Sequence, residues 1–299
     1  MHGPNKRTSL SEAYPAPSLV SQSPPDQARA PFHTQTDLLN DLRRLGVKPG
    51  MTVIVHASLR AIGRVVGGPV AVILALEEAV GLEGNVVMPT QTEQLCAPEE
   101  YGGDLSADEM RIIKKHMPLY LPDLTPTSHM GFIAETFRKQ DGVLRSAHPH
   151  MSFAAWGADA ETLTSGHALD DALSDTSPLG RIYDKDGRIL LLGAPTDSNT
   201  SLHLAEYRQQ NAFVQPKIWD VKLEIDGEAR WTTYRDINND SDDFGQLFDD
   251  FRRDTGSIRE SKVGSAVSFL IPQREMVDYA EQWMNRKRRN SDDFNESFR

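Results

Sequence analysis

The chain has 299 residues, 38% of them hydrophobic and 25% charged, which suits a soluble globular protein built as one large α/β domain or two small ones. Its 32 basic and 43 acidic residues leave a net charge of −11, which argues against general nucleic-acid binding. That charge favours a cationic small-molecule partner, unless the acidity serves solubility alone.

No apolar run approaches the roughly 20 residues needed to cross a bilayer, and no charged-then-apolar signal opens the chain, so a cytoplasmic protein without a membrane span is expected. Cys96 is the only cysteine, which excludes an intramolecular disulfide and a zinc site of several thiolates. Residues 1–31 are rich in Pro, Ser, Gln and Ala without apolar period, and a disordered tail or leader is expected there.

Thr36 is positioned to cap a helix carrying Leu38, Leu39, Leu42 and Leu45, with Gly46 closing it. Residues 52–55 then read as a β-branched strand that runs into His56-Ala57-Ser58. Pro69 suits the first turn of a helix over residues 69–80, and residues 85–88 form a second strand ending at Pro89-Thr90. This alternation predicts an α/β fold with a mixed, largely parallel central sheet flanked by helices. Ligands of such folds gather beyond the carboxyl ends of the strands, where His56, Ser58, Pro89 and residues 194–200 are expected.

Residues 91–128 are long, acidic and interrupted by Pro98, Pro118, Pro122 and Pro126. They read as a substrate-covering insertion or as a solvated surface excursion. Residues 131–140 return to helical spacing, followed by Arg145-Ser146-Ala147-His148-Pro149-His150 and a strand over residues 152–157. Short helices are expected over 161–165 and from Ser177-Pro178.

The stretch 188–210 organises the rest. Residues 189–192 are a buried strand, Gly193-Ala194-Pro195 breaks it, and Asp197-Ser198-Asn199-Thr200 supplies capping side chains for a helix bearing His203 and Glu206. At i and i+3 these two share a helix face. They form either one imidazole–carboxylate unit suited to removing a proton, or the exposed face of an amphipathic helix. Beyond Pro216 an antiparallel portion is expected, with strands over 218–225 and 229–234, a helix over 244–251, a strand over 264–270 and a last helix over 276–285. The polar residues from Arg286 to the end are expected to form a flexible tail.

Several chemistries lack their motifs: there is no G-x-x-x-x-G-K-[ST] loop, no G-x-S-x-G elbow and no H-E-x-x-H. His148, His150, His203 and Glu206 sit on separated segments without ligand spacing, so no metal is expected. The glycine-containing loop 58–68, with Arg60, Arg64 and a following helix start, suits either a phosphate-bearing ligand or a plain β–α connection.

The blocks HASLRAIGRVVGGP, VVMPT, RSAHPHMSFAAWG, DTSPLGRIY, RILLLGAPTDSNTSLHLAEYR and KVGSA, in this order, resemble the aminoglycoside 3-N-acetyltransferases, the antibiotic N-acetyltransferase family distinct from the GNAT fold. The likeness covers about residues 36–285 and implies one such domain over 32–285, with 91–128 as its substrate-side insertion. It implies direct transfer of an acetyl group from acetyl-CoA to the 3-amine of a 2-deoxystreptamine antibiotic.

The family's first loop meets the cofactor, which carries over to Ser58, Leu59, Ile62, Gly63, Arg64, Val65 and Val66. Its R-S-x-H-P turn implicates Ser146 and His148 in the same role, and its H-x-A-E helix makes His203 the base with Glu206 beside it. Thr200 would hydrogen-bond the thioester oxygen. The acidic insertion with Glu93 and Asp104, together with Asp197 and Asp236, would hold the cationic amines of the aminoglycoside.

The physical chemistry agrees, because an amine protonated at neutral pH must lose a proton before attack, and a neutral imidazole beside a carboxylate is a suitable base. Cys96 as an acyl carrier is disfavoured by its irregular acidic surroundings. Where the family commonly reads H-S-S, this chain has His56-Ala57-Ser58, which removes one hydroxyl from the cofactor loop. Acylation of another small amine, or a non-catalytic binder on the same scaffold, are the alternatives, and the sequence leaves open whether the chain forms a homodimer.

Overall fold

A computed structural model describes residues 30–100, 104–210 and 214–288, so residues 1–29 of the expected leader and 289–299 of the expected tail lie outside the described residues. In chain order the first elements are β1 (Phe32–His33), α1 (Gln35–Leu45), β2 (Thr52–Ala57), α2 (Leu59–Ile62), β3 (Arg64–Val65), α3 (Gly68–Val80) and β4 (Asn85–Pro89). Then come α4 (Ala107–His116), α5 (Gly131–Phe137), β5 (Leu144–Arg145), β6 (Phe153–Gly157), α6 (Ala160–Thr164), α7 (Pro178–Asp184), β7 (Arg188–Leu192) and α8 (Ser201–Arg208). The last are β8 (Pro216–Ile225), β9 (Glu228–Ile237), α9 (Phe244–Thr255), β10 (Arg259–Val263), β11 (Ala266–Pro272) and α10 (Gln273–Lys287).

Seven strands form the central sheet in the order β10-β11-β7-β2-β4-β6-β5. The parallel pairings are β2 with β4 and β2 with β7, so the parallel part is the middle three strands and both flanks are antiparallel. Pleat alternation divides the core in two. Val53, Val55, Val86, Met88, Leu190 and Leu192 face the layer of α1, α3 and α5, while Ile54, Val87, Ile189 and Leu191 face the layer of α6 to α10. Continuous apolar strands covered on both faces are what a parallel centre requires.

The helices form where their periodicity and caps allow. Thr34, rather than Thr36, caps α1, because only Thr34 has an acid at the third helical position, Asp37, to complete a reciprocal capping box. Gly46 closes α1 with φ 114, a left-handed value that glycine adopts without strain. On α9, Phe244, Leu247, Phe248 and Phe251 recur at i, i+3, i+4 and i+7 and are all buried, each contributing about 2–3 kcal/mol of transfer free energy.

Two expectations change. The acidic stretch 91–128 contains a helix, α4, opened by a capping box between Ser106 and Glu109. Lys222 of the β8–β9 hairpin donates to the carbonyls of Lys114, Lys115 and Met117 and so satisfies its C-terminal end. The tail does not begin at Arg286 either: α10 runs to Lys287, and Arg288 is buried among carboxylates. Among the described residues no helix is long and apolar enough to cross a membrane.

Candidate active site

A cleft of about 200 Å³ opens at the carboxyl ends of β2, β4 and β7. Its walls include His56, Ala57 and Ser58 from β2, Pro89 from β4, and Ala194, Pro195, Ser198 and Thr200 from the segment after β7. His129, Met130 and Ala134 close it from the start of α5. The chain therefore gathers three separated segments where a parallel sheet collects ligands.

His56 pairs with Leu191 across the β2–β7 register and shares the sheet face of Ile54, the one covered by α8. Burial, reinforced by the neighbouring His203, pushes its imidazole down to about 4, so it is neutral near pH 7. Nε2 of His56, in the cleft wall, is buried without a partner. An unsatisfied polar atom at a cleft fits a bound group that supplies the missing hydrogen bond.

Thr200 precedes α8, and its carbonyl accepts the His203 backbone N–H. One turn on, His203 donates Nδ1–H to Glu206 Oε2 at 2.6 Å. The carboxylate fixes the tautomer and leaves Nε2 as the basic nitrogen. The His203 side chain is 18% exposed and that of Glu206 only 1%, so the imidazole is the accessible end of the pair. The Phe244 ring packs on the imidazole with centroids 4.9 Å apart.

The loop following β2 is held from beneath by the KVGSA segment. Ser265 donates its backbone N–H to Ile62, and a Cβ on Gly264, at φ 60, would stand 2.8 Å from the same carbonyl oxygen. Ser58 caps α2 and lines the cleft. Leu59 and Gly63 are half-buried, as are Arg64 and Val65, and Val66 is exposed. Ile62 is different: its side chain is sealed in the core and supports the loop rather than lining the cleft. No side chain caps α3, whose N-terminal end carries a dipole that favours an anion.

A second cleft, of about 460 Å³, shares His129 with the first. Its walls include Glu93, Glu100, His150 and Trp219, so it is acidic with an aromatic side. Glu100 is paired with Lys217 at 2.7 Å, and Cys96 in the same wall is buried, its thiol pushed up to about 12. Asp104 and Asp197 are exposed and outside both clefts, though Ser198, beside Asp197, lines the first.

Three further expected site residues have polar atoms engaged within the protein. Asp236 is buried on β9, where it accepts from the Tyr207 hydroxyl and the backbone N–H of Ala172 and Ile237. Three of its acceptor sites are committed to joining β9 to the body. Ser146 accepts from the Phe153 backbone N–H and bonds His167 Nδ1 at 2.9 Å. His148 bonds the Leu169 carbonyl through Nε2 and accepts from the His150 and Met151 backbone N–H groups. Both are fully occupied inside a cluster with His150 and His167, and neither lines the cleft.

Among the described residues no group of three or more His, Cys, Asp or Glu side chains is placed to hold a metal ion. The residues that sequence reasoning missed are Trp219 in the second cleft, His129 between the clefts, and Arg288 behind Glu206. A His with φ 57 at residue 129 carries no sequence signal, whereas the acidity of 91–128 did point toward Glu100.

Comparison with known proteins follows the same lines. The SPbeta prophage-derived aminoglycoside N(3')-acetyltransferase-like protein YokD of Bacillus subtilis is 40% identical over 252 residues, 84% of this chain and 92% of its own length. Its crystal structure superposes with a TM-score of 0.83 at 38% identity, covering 87% of this chain and 96% of that one. Aminoglycoside N(3)-acetyltransferase VII of Streptomyces paromomycinus is 34% identical, over 85% of this chain and 92% of its own. Two further solved structures align over nearly their whole chains: AAC-IIIb, solved as a binary complex with CoASH (TM-score 0.77, 27% identity, 87% and 99% covered), and AAC-VIa bound to sisomicin (TM-score 0.78, 30% identity, 86% and 99% covered). A family model described as aminoglycoside 3-N-acetyltransferase matches residues 54–285, which takes in both clefts' walls and the His203–Glu206 pair, and the chain belongs to that family.

Proposed function

We propose that this chain transfers the acetyl group of acetyl-CoA to the 3-amine of a 2-deoxystreptamine aminoglycoside, inactivating the antibiotic, with His203 as general base. The observation that carries the reading is the 2.6 Å contact between His203 Nδ1 and the buried Glu206, one helical turn from a cleft at the strand ends. The bound relatives, one with CoASH and one with sisomicin, support both substrate classes.

Acetyl-CoA supplies the acetyl group as a thioester, already activated for transfer to an amine. The residues that would hold it are Ser58, Gly63, Arg64, Val65 and Val66, with the uncapped start of α3 favouring its phosphates. Thr200, in the cleft wall, is a donor for negative charge developing on the carbonyl oxygen. His203 takes the proton from the acceptor amine through Nε2, and Glu206 stabilises the imidazolium that results. His56, neutral because it is buried, adds no charge that would repel a protonated amine. Glu93 and Glu100, with Trp219 alongside, suit the remaining ammonium groups and the sugar face.

The test is thiol release from acetyl-CoA across a panel of deoxystreptamine aminoglycosides, with mass spectrometry and NMR of the products. One acetyl on the 3-amine is the expected result; binding of CoA without thiol release on any member of the panel would refute the acceptor class. His203→Ala is expected to keep CoA binding and lose about 10²- to 10⁴-fold in kcat.

A further inference from the structure

Glu206 presents one oxygen to His203, and the other is held from behind. Oε1 accepts Arg288 Nη1 at 2.6 Å and the Asp240 backbone N–H at 3.1 Å. The arginine is itself fixed on its remaining sides. Its Nε meets Asp243 Oδ2 at 2.8 Å, while Nη2 meets Asp243 Oδ1 at 2.5 Å and the Asp240 carbonyl at 2.8 Å. A planar guanidinium gripped in this way has one orientation, and that orientation points Nη1 at Glu206. The guanidinium also lies over the Phe244 ring, the ring that packs on His203.

We propose that Arg288 is a positioning residue for the base: it locks the rotation and the charge of Glu206 so that Oε2 is always delivered to His203 Nδ1. The inference rests on His203 being the base. A carboxylate buried without a cation would turn toward water or take up a proton, and either change releases the imidazole. The charge balance points the same way. Glu206, Asp243 and Arg288 sum to −1, so the proton that His203 accepts brings this set to neutrality. The other titratable side chains around the pair are His56 from β2, neutral in its buried place, and Asp240 before α9. Arg288 lies three residues past the matched family segment, which ends at 285.

A staple that merely tied the end of α10 to α9 would show the same contacts, so the test needs a readout that stability does not move. Full-length Arg288→Met and Arg288→Lys are compared with the parent in melting temperature, KM for acetyl-CoA, and kcat from pH 5.5 to 9 on an aminoglycoside the parent acetylates. Without the cation Glu206 turns away or takes up a proton, and the imidazolium loses the partner that stabilises it. Arg288→Met is therefore expected to move the acid limb of the kcat profile downward by about half a unit or more. Its kcat should fall about 10- to 100-fold with KM for acetyl-CoA within twofold, and millimolar guanidinium should restore part of the turnover.

Arg288→Lys keeps the charge and should hold the acid limb in place, but one ammonium cannot span three acceptors, so kcat should fall about threefold or more. An unmoved acid limb in Arg288→Met, with turnover falling only as the folded fraction falls, overturns the inference. If that variant does not fold, Arg288→Lys decides: parental kcat refutes, and a fall at unchanged melting temperature supports. His203→Ala is measured alongside. Full turnover there removes the base itself, whereas its loss beside a normal Arg288→Met removes only the role of the arginine.

Discussion

Replacing Glu206 by Gln tests the proposed catalytic pair with the least change in shape. The carboxylate accepts from three donors: His203 Nδ1 at 2.6 Å, Arg288 Nη1 at 2.6 Å and the Asp240 N–H at 3.1 Å. An amide has one acceptor oxygen, so whichever way it turns, its NH2 confronts either the imidazole N–H or the guanidinium. Arg288 keeps Asp243, which limits the damage to one lost charged contact and one buried donor facing a donor, about 2–4 kcal/mol together. For a domain of this size each kcal/mol moves the melting temperature by about 2–4 °C, so a fall of roughly 4–16 °C is expected. Turnover should fall further than stability suggests, by about 10²- to 10³-fold, because the imidazole loses the partner that fixes its tautomer. Circular-dichroism melts at pH 7.5 and thiol release at saturating substrate give both numbers. A melting temperature within about 2 °C of the parent together with kcat within threefold would refute the argument.

Other outcomes follow from the same geometry. His56, His150 and His167 are held at about 4 and His148 well below its usual range, all by burial. The unfolded chain binds their protons more readily, so their contribution is complete above about pH 6.5 and is lost as pH falls toward 4. Calorimetry should find the melting temperature dropping steeply across that window, and a flat profile would contradict the neutral cluster. Gly264→Ala places a Cβ against the Ile62 carbonyl at a left-handed φ, which should cost about 1–2 kcal/mol and raise KM for acetyl-CoA by loosening the loop above it; unchanged KM would separate that loop from the cofactor. Glu93→Gln combined with Glu100→Gln should raise KM for the aminoglycoside several-fold at low ionic strength, with the difference shrinking in salt. A salt-independent difference would mean that the carboxylates do not act by charge.

What the sequence discloses is what local pattern encodes. The apolar runs of β2, β4 and β7, and the i, i+3 spacing of His203 and Glu206, are properties of neighbours in the chain, and the structure keeps them. A capping box at Ser106 and Glu109 signals α4 just as locally, though prolines on either side and the acidity of the region draw attention away from it.

The polar residues whose roles the sequence leaves open share one property. Ser146, His148 and Asp236 are polar side chains in suggestive motifs, but whether a polar group serves a ligand or the core depends on partners far along the chain. Those partners are His167, Leu169, Ala172 and Tyr207. Arg288 is the converse case. In sequence it belongs to a charged, featureless end, and its meaning comes from Glu206, 82 residues earlier.

The central position of β2 also bears on how the molecule is made. Its parallel neighbour β7 arrives about 130 residues later, and the segment that supports its loop, Gly264 and Ser265, later still. Pairings this distant are closed slowly, because the intervening chain must first give up its freedom. On a ribosome adding about 5–20 residues per second, the first strand would wait many seconds for β7 and longer for the arginine behind Glu206. With the proposed role of Arg288, a chain cut short before it would carry the visible motifs without the group that positions Glu206.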